Sequence, residues 1–191
     1  MTMQVIKRDG RSEPVSFDKV LERVQRLCDG LNRQFVDPSE IAKKVIEGIY
    51  DGVTTSELDE LAAETAASLS TIHPDYLKLA ARISISNLQK QTSNSFSETI
   101  GILYNYIHPE TGKHAGLIND ETYKAVMENR DLLDGVIDYK RDYNYDYFGF
   151  KTLERAYLLK VNGKVVERPQ HLLMRVAVGI WGRDIQNVIK S

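Results

Sequence analysis

The alternation of polar and apolar positions near the start of the chain predicts a β-hairpin with an exposed edge. Residues 4–8 and 11–15 are short, partly β-branched segments, and Asp9-Gly10 between them tolerates the positive φ of a type I′ turn. Pro14 has no N–H to donate to a neighbouring strand. We therefore expect the second strand to lie at the edge of a sheet or to end at Pro14.

Apolar residues then recur at helical spacing in four segments, each opening with residues that favour a helix start. Ser16 is placed to cap the first segment. Residues 37–40 (Asp-Pro-Ser-Glu) open the second with a cap and a proline in the first turn. The third begins at Thr54 or Thr55, and the fourth is expected to cover about residues 75–90. These segments predict a mostly helical first half.

The polar stretch at residues 91–95 is the best candidate for a domain boundary, although a helix that continues through it is an open alternative. Beyond it, we expect helices at residues 96–107, from Asn119 to about residue 129, and from Pro169 onward. Residues 161–165 (Val-Asn-Gly-Lys-Val) form a second type I′ hairpin pattern. The pattern predicts a mainly α fold of the α+β kind, divided into domains at residues 1–92 and 93–191.

Composition limits the classes of function. Acidic residues number 27 and basic residues 25, so the net charge of −2 excludes binding to nucleic acid or anionic membranes through bulk charge. Cys28 is the single cysteine, which excludes an internal disulfide framework and a cysteine-based zinc site. No stretch reaches the roughly 18 apolar residues needed to cross a bilayer, and residues 1–8 lack a signal-peptide run. We expect a soluble, cytoplasmic protein with neither nucleic acid nor a membrane as partner.

Two clusters have a chemical interpretation, each beside a structural alternative. Lys7, Arg8 and Lys19 surround the first hairpin and could hold phosphate at a helix start, but spacing alone favours a solvated charged turn. The aromatic residues between Tyr139 and Phe150 could stack on bases, but packing in a core or an interface is the favoured interpretation. The four histidines lack metal-ligand spacing, so we expect no metal site. The sequence has no glycine-rich nucleotide loop.

Segments in both halves of the chain match the patterns of known families. In the first half these are residues 5–11 (Val-Ile-Lys-Arg-Asp-Gly-Arg), 15–19, 35–38, 52–55, 58–66 and 73–76. They resemble the ATP-cone domain, a nucleotide-binding regulatory module in which a β-hairpin caps a four-helix bundle. In the second half, residues 147–155, 167–170 and 174–180 resemble the start of the large subunit of class I ribonucleotide reductase, closest to the eukaryotic type. The resemblance implies a cone followed by a helical segment with one further hairpin.

The resemblance further implies a regulatory part of a larger enzyme. That family reduces ribonucleoside diphosphates with a radical cysteine and a redox cysteine pair, so a chain with one cysteine holds no catalytic residues, and we expect them beyond Ser191. The cone of the family binds ATP as activator and dATP as inhibitor, with magnesium, and no intrinsic cofactor is implied. The implied partners are further copies of the subunit, joined through the cone, and a small radical-generating subunit. The alternative is a helical oligomerisation module that has lost nucleotide binding.

The resemblance also implies which residues contact the nucleotide. Lys7, Arg8 and Lys19 match phosphate-side cations, and Lys90 matches a further phosphate-side lysine. A loop lining the nucleotide corresponds to Glu13, Pro14, Val15, Ser16, Phe17, Asp18 and Lys19, with Glu13 toward the base. Thr55 and Asp59 match the pair at the base and sugar. From the residues alone, Thr55 is a helix cap and Asp59 an acid favoured by the helix dipole, whereas the resemblance favours ligand contact for both.

Overall fold

The computed structural model describes residues 3–191 and has a mainly α fold with small β elements, which confirms the predicted fold class. The strands are β1 (Gln4–Ile6), β2 (Ser12–Pro14), β3 (Val53–Thr54), β4 (Lys160–Val161) and β5 (Lys164–Val165). The helices are α1 (Phe17–Gln25), α2 (Pro38–Gly48), α3 (Thr55–Ser68), α4 (Asp75–Gln91), α5 (Phe96–Tyr104), α6 (Asp120–Glu128), α7 (Arg130–Val136), α8 (Tyr147–Thr152), α9 (Pro169–Trp181) and α10 (Ile185–Lys190). Across the described residues, every helix is too short or too polar to cross a membrane.

The chain divides into two compact units. The first comprises residues 3–87 together with residues 145–150. The second comprises residues 88–144 together with residues 151–191. The division falls inside α4, so most of this helix belongs to the first unit and its last turn belongs to the second.

A three-stranded sheet in the first unit places the hairpin beside the start of α3. β1 pairs antiparallel with β2, where Val5 faces Glu13, and parallel with β3, where Val5 faces Val53. The order β2-β1-β3 makes β2 an edge strand that ends at Pro14, as predicted. The sequence does not predict β3, because a strand of two residues gives no alternation of polar and apolar positions.

The two hairpins differ in their turns. A type I′ turn needs positive φ angles at both central residues. Within residues 3–191, Asn162 is the one non-glycine residue with a positive φ, so Asp9 lacks one and the type I′ prediction for Asp9-Gly10 in the first hairpin is wrong. Gly10, with a φ of 82°, instead supplies a single left-handed residue where the chain leaves the turn. In the second hairpin Asn162 (50°) and Gly163 (76°) both have positive φ, which confirms that prediction.

Side-chain caps start the helices of the first unit where the sequence predicts them. The Ser16 hydroxyl accepts a hydrogen bond from the Lys19 N–H of α1 at 3.4 Å, and Asp37 caps α2. Thr54 and Glu57 form a reciprocal capping box at the start of α3. The first three helices bury residues of the apolar stripes that their spacing predicts, including Val24, Ile41, Val45, Ala62 and Ala66. Leu79 and Ile83 of α4 are also buried.

Cys28, just after α1, is buried. Its thiol donates a weak hydrogen bond to the carbonyl of Val24, and burial raises the pKa of the thiol. Because the thiolate is the nucleophilic form, this environment favours an inert structural cysteine.

The second unit packs around a separate apolar core. α4 ends at Gln91 and α5 begins at Phe96 behind the cap residue Ser95, so a helix continuing through residues 91–95 is excluded. Fully buried side chains from α5, α6, α7 and α9 form this core, among them Phe96, Ile100, Leu103, Val126, Leu133 and Val178.

A buried polar network also stabilises the second unit. The guanidinium of Arg168 lies 4.6 Å from the ring centroid of Tyr139 and donates to the carbonyls of Gln89 and Thr92, each at 2.8 Å. The Tyr139 hydroxyl lies 2.8 Å from Nε2 of His171. Burial lowers the pKa of His171 to about 3 and raises the pKa of Tyr139 to about 12. Tyr139, from the aromatic run, is therefore engaged in packing, which is the favoured interpretation of that run.

Candidate functional site

Two lysines beside the first hairpin converge on a single carboxylate oxygen. Nζ of Lys7 lies 2.6 Å from Oε1 of Glu13, and Nζ of Lys19 lies 3.0 Å from the same oxygen. The pairing of β1 with β2 brings Lys7 near Glu13, and the cap at Ser16 fixes Lys19 in the first turn of α1. Hydrogen bonds from Lys7 and Lys19 lower the pKa of Glu13. The hairpin therefore presents two ammonium groups close enough for one oxygen atom to bridge.

A buried carboxylate, Asp59, lies in the second turn of α3 between two arginines. Its residue is 6% exposed. Arg23 of α1 reaches both carboxylate oxygens, with Nε 3.1 Å from Oδ1 and Nη2 3.3 Å from Oδ2. Arg8, in the hairpin turn, places Nη2 3.2 Å from Oδ2. Burial of an unpaired carboxylate is costly, so the two guanidinium groups allow Asp59 to be buried at this position.

Polar side chains of α3 and α4 complete the cluster around Asp59. Arg8 also donates to Oγ1 of Thr55 at 3.3 Å and to Oδ1 of Asn87 at 2.5 Å. Arg23 donates to Oγ of Ser86 at 2.9 Å. The hydrogen bonds thus join the hairpin turn, α1, α3 and α4 within the first unit.

The lysine pair and the Asp59 cluster begin at consecutive residues of the chain. Lys7 contacts Glu13, whereas Arg8, one residue later, contacts Asp59, and consecutive Cα atoms are about 3.8 Å apart. Lysine ammonium groups only donate hydrogen bonds, and an ionised aspartate only accepts them. The arrangement therefore combines donors suited to an anionic group with an acceptor suited to hydroxyl groups.

The structure brings six of the predicted site residues into these two clusters, namely Lys7, Glu13 and Lys19 in the first and Arg8, Thr55 and Asp59 in the second. Thr54, not Thr55, caps α3, so the helix-cap alternative for Thr55 is wrong. The first-turn acid of α3 is Glu57, whereas Asp59 lies further along the helix and is paired with arginine. The contacts of Thr55 and Asp59 are therefore not those of a helix cap and a first-turn acid.

The remaining residues of the predicted loop lie between Glu13 of β2 and Lys19 of α1. Pro14 ends β2, the Val15 N–H donates to a backbone carbonyl before β1, and Ser16 caps α1. The side chains of Phe17 and Asp18, at the start of α1, are exposed. Their contact with a nucleotide stays a prediction.

Lys90 lies in the last turn of α4, which belongs to the second compact unit. Its phosphate-side role stays a prediction. In the part of the chain that the structure describes, no group of three or more His, Cys, Asp or Glu side chains could hold a metal ion. The accompanying magnesium likewise stays a prediction.

Sequence reasoning missed three residues of the cluster around Asp59, namely Arg23, Ser86 and Asn87. Arg23 lies one turn after Lys19 on α1, and residues four apart share a helix face, so Lys19 could have pointed to it. Ser86 and Asn87 are polar residues within the largely buried helix α4. Their role depends on α4 packing close to the hairpin turn and α1, which no local pattern in the sequence specifies.

Comparisons with known proteins agree with this architecture. Residues 3–91 match the ATP cone domain family, and residues 143–190 match the family described as ribonucleotide reductase, all-alpha domain. The ribonucleoside-diphosphate reductase large chain 2 of Saccharomyces cerevisiae is 59% identical over 189 residues, which cover 99% of this chain and 22% of that protein. The large subunits of Danio rerio and Vaccinia virus are 58% and 57% identical, again over 99% of this chain and 24% of each protein.

The match over residues 3–91 identifies the first half of the chain as an ATP cone, which here consists of a β-hairpin and a set of helices. The chain as a whole belongs with the eukaryotic-type large subunits of ribonucleoside-diphosphate reductase, of which it corresponds to an ATP cone and the beginning of the all-alpha domain. It spans between 22% and 24% of the length of these three curated relatives.

Proposed function

We propose that this chain is the nucleotide-binding regulatory part of a ribonucleoside-diphosphate reductase large subunit, with ATP as activator and dATP as inhibitor. The observation that supports this most is the convergence of Lys7 and Lys19 on one oxygen atom, next to a buried Asp59 that is reached from the adjacent residue Arg8. The lysine pair suits the phosphate end of a nucleoside triphosphate, and the Asp59 cluster suits its sugar end. The parent enzyme makes deoxyribonucleotides for DNA synthesis.

The lysine pair is the proposed phosphate end of the site. Glu13 shows that both ammonium groups can reach a single anionic oxygen, so a phosphate oxygen can occupy the same kind of position. A triphosphate carries more negative charge than one carboxylate, and this favours release of Glu13 by the two lysines and binding of the triphosphate in its place. Magnesium belongs to this proposal as the ion that accompanies the triphosphate, because Mg²⁺ is commonly bound together with phosphate groups.

The Asp59 cluster is the proposed sugar end. ATP has two ribose hydroxyls and dATP lacks one of them, so discrimination requires a group whose hydrogen bonding changes when one hydroxyl is lost. An ionised aspartate accepts from hydroxyl donors and cannot donate. Asp59 and the neighbouring Thr55 are therefore suited to this task, and the hydrogen bonds from Arg8 transmit a change at Asp59 to the hairpin.

Regulation follows from linkage between nucleotide binding and assembly. A nucleotide that binds one oligomeric state more tightly shifts the protein toward that state, and the coupling is reciprocal. We place the contacts between copies on the cone and expect them to control productive use of the small radical-generating subunit. The assembly acts in the cytoplasm, and this chain contributes regulation without catalytic residues.

Thermal unfolding of the chain with and without nucleotide tests this proposal. ATP or dATP at about 100 times its dissociation constant should stabilise the unit that binds it by about 2.7 kcal/mol. Adenosine, which lacks phosphates, should give a much smaller shift at equal concentration. If neither triphosphate stabilises the chain, the proposal is wrong and the helical oligomerisation module is the better interpretation.

A further inference from the structure

The two arginines that hold Asp59 are not equivalent. Arg23 contacts both carboxylate oxygens, one through Nε and one through Nη2. Arg8 contacts one oxygen of Asp59 and divides its remaining donors between Thr55 and Asn87. A two-point contact fixes the orientation of a carboxylate plane, whereas a contact to one oxygen leaves that plane free to rotate.

Arg23 is also fixed at both ends of its side chain. Its backbone lies inside the capped helix α1, and its Nη2 donates to Ser86 of α4 at 2.9 Å. Arg8 lies in the hairpin turn, and the resemblance in sequence matches it to a phosphate-side cation, so a bound triphosphate would give it a second partner. When Arg8 redirects toward phosphate, Arg23 is the cation that can keep the buried Asp59 paired.

We infer that Arg23 is a positioning residue for discrimination between ATP and dATP, acting through Asp59 by holding its carboxylate in one orientation. This inference rests on the proposed function. An Asp59 with a fixed plane presents one oxygen lone pair to one position on the sugar, so the loss of one hydroxyl removes a specific hydrogen bond. An Asp59 that can turn accepts from whichever hydroxyl remains, and the distinction between the two nucleotides is lost.

Titration calorimetry of the chain with ATP and with dATP, each with magnesium, tests the inference through the ratio of the two dissociation constants. We expect Arg23→Gln to move this ratio toward one by about tenfold, the factor that one hydrogen bond to a charged group is worth. Arg23→Lys keeps the charge but loses the planar fork, so it should restore the ratio only in part. Ser86→Ala keeps the guanidinium and removes one anchor, and it should move the ratio in the same direction by a smaller factor.

Arg26→Gln is the matched control, because Arg26 lies three residues further along the chain and pairs with the exposed Glu22. It should leave the ratio unchanged. The positioning role is overturned if Arg23→Gln leaves the ratio of the two dissociation constants unchanged, whether the affinities for ATP and dATP stay the same or fall equally. If Arg23→Gln does not fold, Arg23→Lys and Ser86→Ala decide the matter by the same ratio. Failure of the unaltered chain to bind either nucleotide is a different result, which overturns the proposed function and this inference with it.

Discussion

Nη2 of Arg8 lies 3.2 Å from Oδ2 of Asp59, although 51 residues of sequence separate them. The residue before Arg8 is Lys7, whose ammonium group binds Glu13. Consecutive hairpin residues thus engage two different clusters, one a partly exposed group of two lysines and a glutamate and the other a buried aspartate with two arginines. A ligand that engages Arg8 through phosphate changes the surroundings of Asp59 at the same time. The hairpin therefore links the phosphate end of the proposed site to its sugar end.

Asp59→Asn should abolish most of the dATP inhibition of a full-length large subunit that contains this chain. The substitution preserves shape, but it adds N–H donors and leaves two guanidinium groups facing a neutral side chain. The measurement is the rate of ribonucleotide reduction with increasing dATP. Activity without dATP should be retained, because the proposed function gives this chain no catalytic residue.

Glu60→Gln is the control for that experiment, since Glu60 is the next residue of α3 and is exposed. It should leave dATP inhibition intact. If Asp59→Asn lowers only the melting temperature and inhibition by dATP persists, Asp59 stabilises the fold and does not take part in nucleotide recognition.

Lys7→Ala and Lys19→Ala should each weaken binding of both ATP and dATP. Both ammonium groups meet the same Glu13 oxygen, so each is placed to donate to one phosphate group. Loss of a hydrogen bond to a charged group costs about 1.5–3 kcal/mol. Titration calorimetry with both nucleotides measures the loss, which should be similar for the two because their phosphates are identical.

Lys44→Ala provides the comparison for the lysine variants. Lys44 lies on α2 and forms an exposed ion pair with Glu40 at 3.3 Å. Its removal lowers the net charge by the same amount away from the proposed site. Equal weakening by Lys44→Ala and Lys7→Ala would mean that overall charge, and not the hairpin site, determines affinity.

Local sequence chemistry was sufficient for some parts of this fold. The caps at Ser16, Asp37 and Thr54 appear where the pattern places them, because a cap depends on residues only three or so apart. The turn of the first hairpin was not predictable in the same way. Asp9-Gly10 is compatible with more than one turn, and the register of β1 with β2, in which Ile6 faces Ser12, leaves residues 7–11 for the connection.

The candidate site likewise combines residues that are close in sequence with residues that only helix packing brings together. The residues around the lysine pair lie within thirteen positions of one another, from Lys7 to Lys19. The resemblance in sequence grouped Lys7 and Lys19 on the phosphate side but placed Glu13 toward the base, so the carboxylate that both lysines share was not predicted. The cluster around Asp59 depends on Arg23, Ser86 and Asn87, which come together only when α1, α3 and α4 pack. No pattern within one segment reports such contacts, so Arg23 was missed.

The stability of the second unit should fall as pH decreases from 6.5 toward 5. Burial, reinforced by the positive charge of Arg168, lowers the pKa of His171 from 6.5 to about 3. Below pH 6.5 the unfolded chain therefore takes up a proton that the folded chain does not, and folding stability declines by up to about 1.4 kcal/mol per pH unit. Burial raises the pKa of Asp142, which acts in the opposite direction as the pH falls further. Denaturant unfolding at several pH values measures the slope.

His171→Gln should flatten this pH dependence, because glutamine offers a donor and an acceptor but does not titrate. His114→Gln, at an exposed histidine of the same unit, is the control and should leave the slope in place. If the slope is the same with and without His171, the buried histidine does not account for it.

The purified chain should reduce no ribonucleotide, with or without a small subunit. The proposed parent reaction needs a radical cysteine and a cysteine pair, and this chain contains only Cys28, which is buried. Product analysis for deoxynucleotides after prolonged incubation with substrate and reductant checks this. Any product above that of a Cys28→Ser control would contradict the regulatory assignment.

Amide chemical-shift mapping of the ¹⁵N-labelled chain during titration with dATP and magnesium tests whether nucleotide binds at the hairpin and α3. The largest shift changes should fall in residues 7–19 and 55–59, with saturation at a single dissociation constant for both segments. Changes confined to residues of the second unit, or no change at nucleotide concentrations in the millimolar range, would contradict a nucleotide site at the hairpin and α3.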